Sequence, residues 1–403
     1  MVPRAAKPQI TLFGQAITPY TVKVVRALRL ERLRAAEAVG AHGARGPRDG
    51  GARVRWAPLA LLLLALAGCD RIEAWLVERA AARALAGDRD DLLEDGSLHV
   101  ILCGTGSPLA DAGRAGPCTA ILGAGHFVLV DAGPGSQRAL GLLRLPRARL
   151  EAILVTHFHS DHIGEIGEAR LQSWVAGRRA PLVIHGPPGV EEVVAGFERA
   201  YAPDTRYRIA HHGAEAMPPD AGRALARPVE LPGPEEEALV FEADGLRILA
   251  FAVDHAPVGP AYGYRIELGG RSVVLSGDTK KSANLVRHAR GADLLVHEAL
   301  AARMLEPVTD YARRQGLARW AKLTSDVVTY HTTPVEAAEV AREAGVRVLA
   351  LTHVVPPLPN ALARRMFLRG VAEAWDGEVV LGSDGLHFTL APGTSAVGMG
   401  HLD

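Results

Sequence analysis

The chain has 403 residues, and 45 lysines and arginines balance 45 aspartates and glutamates. That balance excludes a global field drawing nucleic acid or an acidic surface to the whole molecule. The length holds one large domain or two modest ones, with ample core in either case. Three cysteines, Cys69, Cys103 and Cys118, are too few for a disulfide scaffold. Cys103 and Cys118 read as two small buried thiols, able to pair only if their strands are neighbours.

Residues 1–53 form an N-terminal extension. "PQITLFGQAITPYTVKVVRALRLERL" reads as a strand, a Thr18-Pro19 turn and a helix, and over residues 8–33 resembles the first unit of a glutathione S-transferase. A lone strand–helix unit cannot bury its own apolar face, and the Gly/Ala/Arg-rich stretch after it has the composition of a disordered segment. "RWAPLALLLLALAGCD" is the strongly apolar run of the chain. Its uncharged part is too short to span a bilayer and suits a signal-peptide core, with Arg53 and Arg55 as its positive flank. Leu66-Ala67-Gly68-Cys69 resembles a bacterial lipoprotein box; a buried core helix is the plainer alternative. The resemblance implies a signal segment at 54–69 and translation starting near Val54, which would make residues 1–53 a gene-model artefact or fusion remnant. It also implies a lipid on Cys69 that anchors an exported protein to a membrane facing the periplasm, with Asp70 favouring the inner membrane.

Residues 70–95 carry Ile72, Trp75, Leu76 and Ala80 at helical spacing and read as a tether helix. From there the texture changes to short apolar runs punctuated by glycine, which marks 96–391 as the folded domain and 392–403 as a tail. Strands are expected at "LHVILCG", "CTAILGAGHFVLV", "LEAILV", "LRILAFAV", "YGYRIELGGRSVVL", "ADLLVHEAL" and "VRVLALTHVV", with helices such as 190–201 between them. Several strands finish on His or Asp, which places polar groups at one rim of the sheets. Gly104, Gly106 and Asp131 of "VDAGPG" read as tight backbone scaffold. His185 ends a strand. His211 and His212 lie in a long insertion that forms either a lid or a solvated loop.

"THFHSDHIG" supplies His157, His159, Asp161 and His162 within six positions. At a strand end alternate side chains share a face, so His157 and His159 point the same way, while Asp161 and His162 follow on the next turn. Imidazoles with a carboxylate are what zinc takes when it keeps a place for water. This His-x-His-x-Asp-His pattern resembles the metallo-β-lactamase superfamily, an α/β fold built as a four-layer αββα sandwich with metals at one edge. The resemblance implies two zinc ions per chain. His255 of "VDHAPVG" would complete the first site, Asp278 of "LSGDT" would bridge both, and His353 of "LALTHV" would complete the second.

The order of "GTGSP", "GYRIE", "SGDT", "HEA" and "HTTP" from about Leu98 to Leu390 is similar to the ribonuclease Z and arylsulfatase-like branch. The resemblance implies that Glu298 and His331 act together on the leaving oxygen, although His331 could merely buttress the metal edge. Thr333-Pro334-Val335-Glu336 reads as an N-cap, a proline at N1 and a capping-box glutamate, which would hold His331 rigidly. A water-derived nucleophile oriented by Asp161 would then attack an ester.

An exported protein does not meet precursor transfer RNA, and the insertion from Gly196 to Asp244 carries no excess of basic residues. The expected substrate is therefore a small phosphodiester or sulfate ester, with nucleic acid not expected as a partner and a homodimer possible. The alternatives are a ribonuclease Z-type endonuclease and a non-catalytic metal-binding envelope protein.

Overall fold

The glycine-punctuated runs become two mixed β-sheets in a computed structural model of the chain, which describes residues 72–82 and 88–402 together with 11–12 and 15–16. Thr11–Leu12 pairs antiparallel with Gln15–Ala16. The rest of the glutathione S-transferase-like stretch, the apolar run and Cys69 lie outside the described residues. Residues 72–82 are helical, and Asp91–Glu94 (α1) is a separate helical turn rather than a continuation to residue 95. Its Leu92 and Leu93 are buried in the core of the unit that runs from Ala86 onward. No helix of the described residues is long and apolar enough to cross a membrane.

In the first sheet the strands are Leu98–Gly104 (β1), Cys118–Gly123 (β2), His126–Val130 (β3), Leu150–Leu154 (β4), Leu182–Gly186 (β5) and Ala224–Pro228 (β6). The second sheet holds Glu237–Ala243 (β7), Leu246–Ala252 (β8), Tyr262–Leu268 (β9), Arg271–Leu275 (β10), Leu294–Leu300 (β11), Val348–Val355 (β12) and Glu378–Leu381 (β13). The chain then returns to the first sheet with Leu386–Leu390 (β14) and Gly398–His401 (β15). Spatial order is β15-β14-β1-β2-β3-β4-β5-β6 in one sheet and β13-β12-β11-β10-β9-β8-β7 in the other. In each, an antiparallel half is joined to a parallel half, at β3–β4 and at β10–β11. The segment expected as a C-terminal tail thus supplies an edge strand: Gly398–His401 pairs with β14.

Burial on both faces explains why the central strands read as continuous apolar runs. In β1, Leu98, Val100 and Leu102 face the core between the sheets, against Ile248, Tyr264, Ile266 and Val296. The alternate residues Ile101 and Cys103 face outward, into a layer with Leu140, Ile166, Val190 and Val194. Those last four sit on or beside Ser136–Leu142 (α2), Ile166–Ala176 (α4) and Val190–Ala216 (α5); between α2 and α4 lies the single turn Ser160–Ile163 (α3). Over the second sheet lie Ala283–His288 (α6), Pro334–Ala344 (α9) and Ala361–Phe367 (α10), whose Leu285, Ala337, Ala341 and Phe367 join a third core. A helical pair, Ala302–Arg314 (α7) and Ala318–Val327 (α8), separates β11 from α9. The result is the four-layer αββα sandwich.

His211 and His212 belong to α5 and are exposed, so this part of the insertion is helix rather than loop. Cys103 and Cys118 form a disulfide with Cα atoms 5.0 Å apart, correcting the expectation of two free thiols. The reason lies in the ladder: β1 and β2 are antiparallel neighbours, Gly104 pairs with Cys118, and Cys103 is the extra residue of the irregularity between Leu102 and Gly104, one position from Cys118's partner and within bonding reach.

Candidate metal centre

Three strand ends, one helical turn and one strand bulge deliver the polar cluster. The chain leaves β4 through Val155, whose N–H donates to His185 O, and places Thr156 and His157 fully buried at the sheet edge. His159 is the extended residue preceding α3, and the first turn of α3 then carries Asp161 and His162 inward. Asp278 follows β10 across Gly277, whose positive φ of 60° and close approach to Tyr262 O admit no side chain without strain. His255 follows β8. His353 sits within β12, where the pairing with β11 runs Glu298↔Thr352 and then Ala299↔Val354, so His353 is the extra residue of a bulge. Its φ of 47° marks the same irregularity, which turns the side chain toward the cluster.

These residues converge. Asp278 Oδ2 lies 3.3 Å from His162 Nε2, 3.3 Å from His353 Nε2, 3.8 Å from His157 Nε2 and 4.0 Å from His255 Nε2. Asp161 Oδ2 lies 3.3 Å from His353 Nε2 and 3.6 Å from His162 Nε2. Three sets of ligand atoms are mutually close enough to hold an ion: His157, His159, His255 and Asp278; Asp161, His162 and His353; and Asp278, His331 and His353, the last sharing members with the other two. The structure therefore brings together all seven positions singled out in the sequence.

The chemistry of the donors fits a divalent cation. His162 Nε2 and His255 Nε2 are buried without a hydrogen-bond partner, a costly state that a bound ion relieves. Burial holds His157 well below the usual histidine range, and also lowers His159 and His255, which keeps these imidazoles available as neutral ligands. Asp278 behaves oppositely: burial alone would raise its carboxyl, but His353 and His162 hold it well below the usual range. Burial likewise opposes the charge on His162, yet Asp278 and Asp131 raise it well above its ordinary value.

Glu298 and His331 meet beside this cage. Glu298 Oε1 accepts from His331 Nδ1 at 2.9 Å, from Thr332 N at 3.0 Å and from Thr279 N at 3.2 Å. The His331 ring stacks on His353 with centroids 5.5 Å apart. Burial disfavours its charge, but Glu298 and Asp278 push it up to about 9. The turn behind His331 is the capping box read from the sequence, with Thr333 and Glu336 satisfying each other's backbone N–H groups and Pro334 at the helix start.

Sequence reasoning passed over the partners that aim these groups. Asp131, taken as scaffold, has a positive φ of 61° and accepts from His162 Nδ1 at 2.7 Å and from Thr156 N at 2.9 Å. Such a carboxylate fixes the histidine tautomer and leaves Nε2 for the cage. Tyr330 O does the same for His255 Nδ1 at 3.0 Å. Asp384 pins the loop between β1 and β2 through Thr105 N at 2.9 Å and Ala115 N at 2.6 Å. The signal for Asp131 was present in "VDAGPG", where an aspartate ends a strand; Tyr330 acts through its backbone and leaves none.

An αββα sandwich with a His/Asp cage at one sheet edge defines a metallohydrolase. Residues 126–354 match the family model described as "Beta-lactamase superfamily domain". The chain belongs to the metallo-β-lactamase superfamily. Similar to it is a ribonuclease Z of Mycobacterium sp. strain KMS, 37% identical over 298 residues that cover 73% of this chain and 97% of the relative. A ribonuclease Z of Mycobacterium marinum is 36% identical over 290 residues, covering 71% and 96%. Among solved structures, the metallo-β-lactamase fold protein YhfI of Bacillus subtilis superposes with a TM-score of 0.52 at 20% identity, covering 73% of this chain and 99% of that one.

These relatives correct the expectation that nucleic acid is not a partner: ribonucleases match this chain over almost their whole length. Neither the insertion from Gly196 to Asp244 nor the chain-wide charge balance describes the surface beside the metal edge.

Proposed function

We propose that this protein is a metal-dependent phosphodiesterase that cleaves RNA, in the manner of a ribonuclease Z endonuclease acting on transfer-RNA precursors. The observation that carries the reading is the Glu298–His331 pair, held 2.9 Å apart at the edge of a cage centred on Asp278. A phosphodiester needs two things from such an edge: neutralisation of its non-bridging oxygens and a proton for the departing alkoxide.

His157, His159, His255 and Asp278 would hold one divalent ion and Asp161, His162 and His353 a second, with zinc the best match to this donor set. When bound, such ions acidify a water molecule and neutralise charge on phosphate oxygens. The chain's own groups do the rest. Asp161 accepts a proton from the attacking water and orients it. Because Nδ1 of His331 is engaged by Glu298, the proton it offers to the leaving oxygen is the one on Nε2. Glu298 positions that ring and stabilises its charge. Asp131 and the Tyr330 carbonyl keep His162 and His255 in the tautomer that leaves Nε2 facing the cage.

The test is cleavage of a transfer-RNA precursor carrying a 3′ extension, alongside bis(p-nitrophenyl) phosphate, by zinc-loaded protein. The expected result is endonucleolytic cleavage that Asp161→Ala reduces by a factor on the order of 10²–10⁴ while the fold survives. Turnover of the small ester with intact RNA would overturn the RNA reading.

A further inference from the structure

The sequence between Glu343 and Glu373 contains no aspartate or glutamate but four arginines, Arg347, Arg364, Arg365 and Arg369. Arg347 is spent on Asp293 at 3.1 Å. The other three lie on and just after α10, are exposed, and have no carboxylate partner among the described residues.

Their place in the fold is next to the metal edge. β12 carries His353, runs out at Val355, and leads directly into α10. Val354 N bonds Thr105 O, Thr105 Oγ1 accepts from Arg114, and Arg114 is close enough to Arg364 that the like charge is felt there, in addition to the burial that lowers Arg114. On the other side, α7 begins just after the strand that carries Glu298, and Arg303 on it donates to the Arg369 carbonyl. Arg303 is exposed and adds a fourth cation to the row.

We infer that Arg303, Arg364, Arg365 and Arg369 form a phosphate-binding rim that holds the RNA backbone as its scissile bond enters the metal cage. This rests on the ribonuclease reading above. Exposed guanidinium groups without acidic partners release counterions when a polyanion docks, and guanidinium matches phosphate geometry. The row therefore supplies what the insertion from Gly196 to Asp244 lacks. An anionic membrane would also meet these charges, but it would not need them beside a catalytic edge. The exposed apolar side chains of the seven-residue α10, Leu362 and Met366, are a small face to lay into a bilayer.

The experiment compares the parent protein with the triple variant R364Q/R365Q/R369Q. Five readouts are taken: binding of a fluorescent RNA hairpin with a single-stranded 3′ end between about 50 and 200 mM salt, cleavage of that RNA, binding to vesicles of anionic lipid, hydrolysis of bis(p-nitrophenyl) phosphate, and melting temperature. The expected result is an affinity loss of at least tenfold at low salt, a log–log salt slope shallower by about two to three, and an unchanged rate on the small ester. If the triple variant melts early, R365E alone carries the same comparison. Equal affinity and salt slope in parent and variant overturn the rim, as does a parent that binds no RNA. Loss of binding to vesicles of anionic lipid with RNA binding intact assigns the arginines to a membrane and also overturns it. RNA held through these arginines but left uncut sinks the nuclease reading and leaves the rim standing.

Discussion

His331 and His387 are both largely buried, yet their environments push them in opposite directions. Burial lowers His387 to about 4, and the neighbouring His99, whose ring nitrogen lies 2.9 Å away, adds to the depression. Burial also takes His185 to about 4, with Arg227 contributing. For these two the folded value lies below the ordinary 6.5 of an unfolded histidine, so as pH falls through 6.5 the unfolded chain takes up protons first. Stability is therefore full above about 6.5 and declines toward 4. Melting curves between pH 7.5 and 4.5 should show that decline, and His387→Gln should flatten it; identical slopes in the two proteins would refute the assignment. His331 has Glu298 beside it, and so its proton is retained rather than expelled. His331→Ala should lower kcat on RNA by a factor on the order of 10² or more while Tm changes little, which separates a role in proton delivery from mere buttressing of the metal edge.

At the scale of elements, the site depends on how segments end. The bulge at His353 and the turn at Gly277 each spend a positive φ to redirect a side chain, and neither is visible as periodicity. Gly133 makes a further demand: a Cβ there would come within 2.2 Å of Asp161 O and 2.6 Å of Gly116 C. Gly133→Ala should therefore displace the α3 turn and lower zinc affinity as well as stability, which isothermal titration and melting would register together. The cap on α9 is a cleaner case. Thr333→Ala removes the side-chain half of the capping box and should cost about 1 kcal/mol of stability. Because His331 leads into that cap, the same variant should also lose activity, and an unaltered rate would show that the cap does not fix the imidazole. The Cys103–Cys118 bridge closes a sequence separation of 15 residues over the loop that Asp384 pins. Reduction should lower stability by about 3 kcal/mol, read as a shift in the denaturation midpoint.

For the molecule as a whole, the cage has a thermodynamic consequence. Buried nitrogens without partners and several histidines crowded around Asp278 are tolerated poorly without an ion, and an ion bound by the folded form alone stabilises it by mass action. Chelation should lower Tm and added zinc should restore it; a Tm indifferent to both would remove the metal centre from the account. Much of this was legible beforehand, because the donor residues occur in short motifs at strand ends and the strands announce themselves as apolar runs between glycines. The order of those motifs was enough to expect the αββα layers and all seven members of the cage. Less was legible where contacts are remote in sequence. Asp131 looked like part of a tight turn until His162, 31 positions away, was seen to donate to it at 2.7 Å. The terminal segment looked like a tail until Gly398–His401 paired with β14. The two cysteines looked like buried thiols until the irregular β1–β2 ladder brought Cys103 beside the Gly104–Cys118 pair. Charge is remote in the same way, since a count over one insertion cannot report that Arg303 of α7 donates to the carbonyl of Arg369 just after α10. What the sequence by itself determined was the kind of chemistry and the layers that carry it, because ligand identity and burial periodicity are local properties of the chain. What the tertiary structure alone decided was which groups face one another across the strand ends, since hydrogen bonds, disulfides and charged rims join residues that no spacing rule connects.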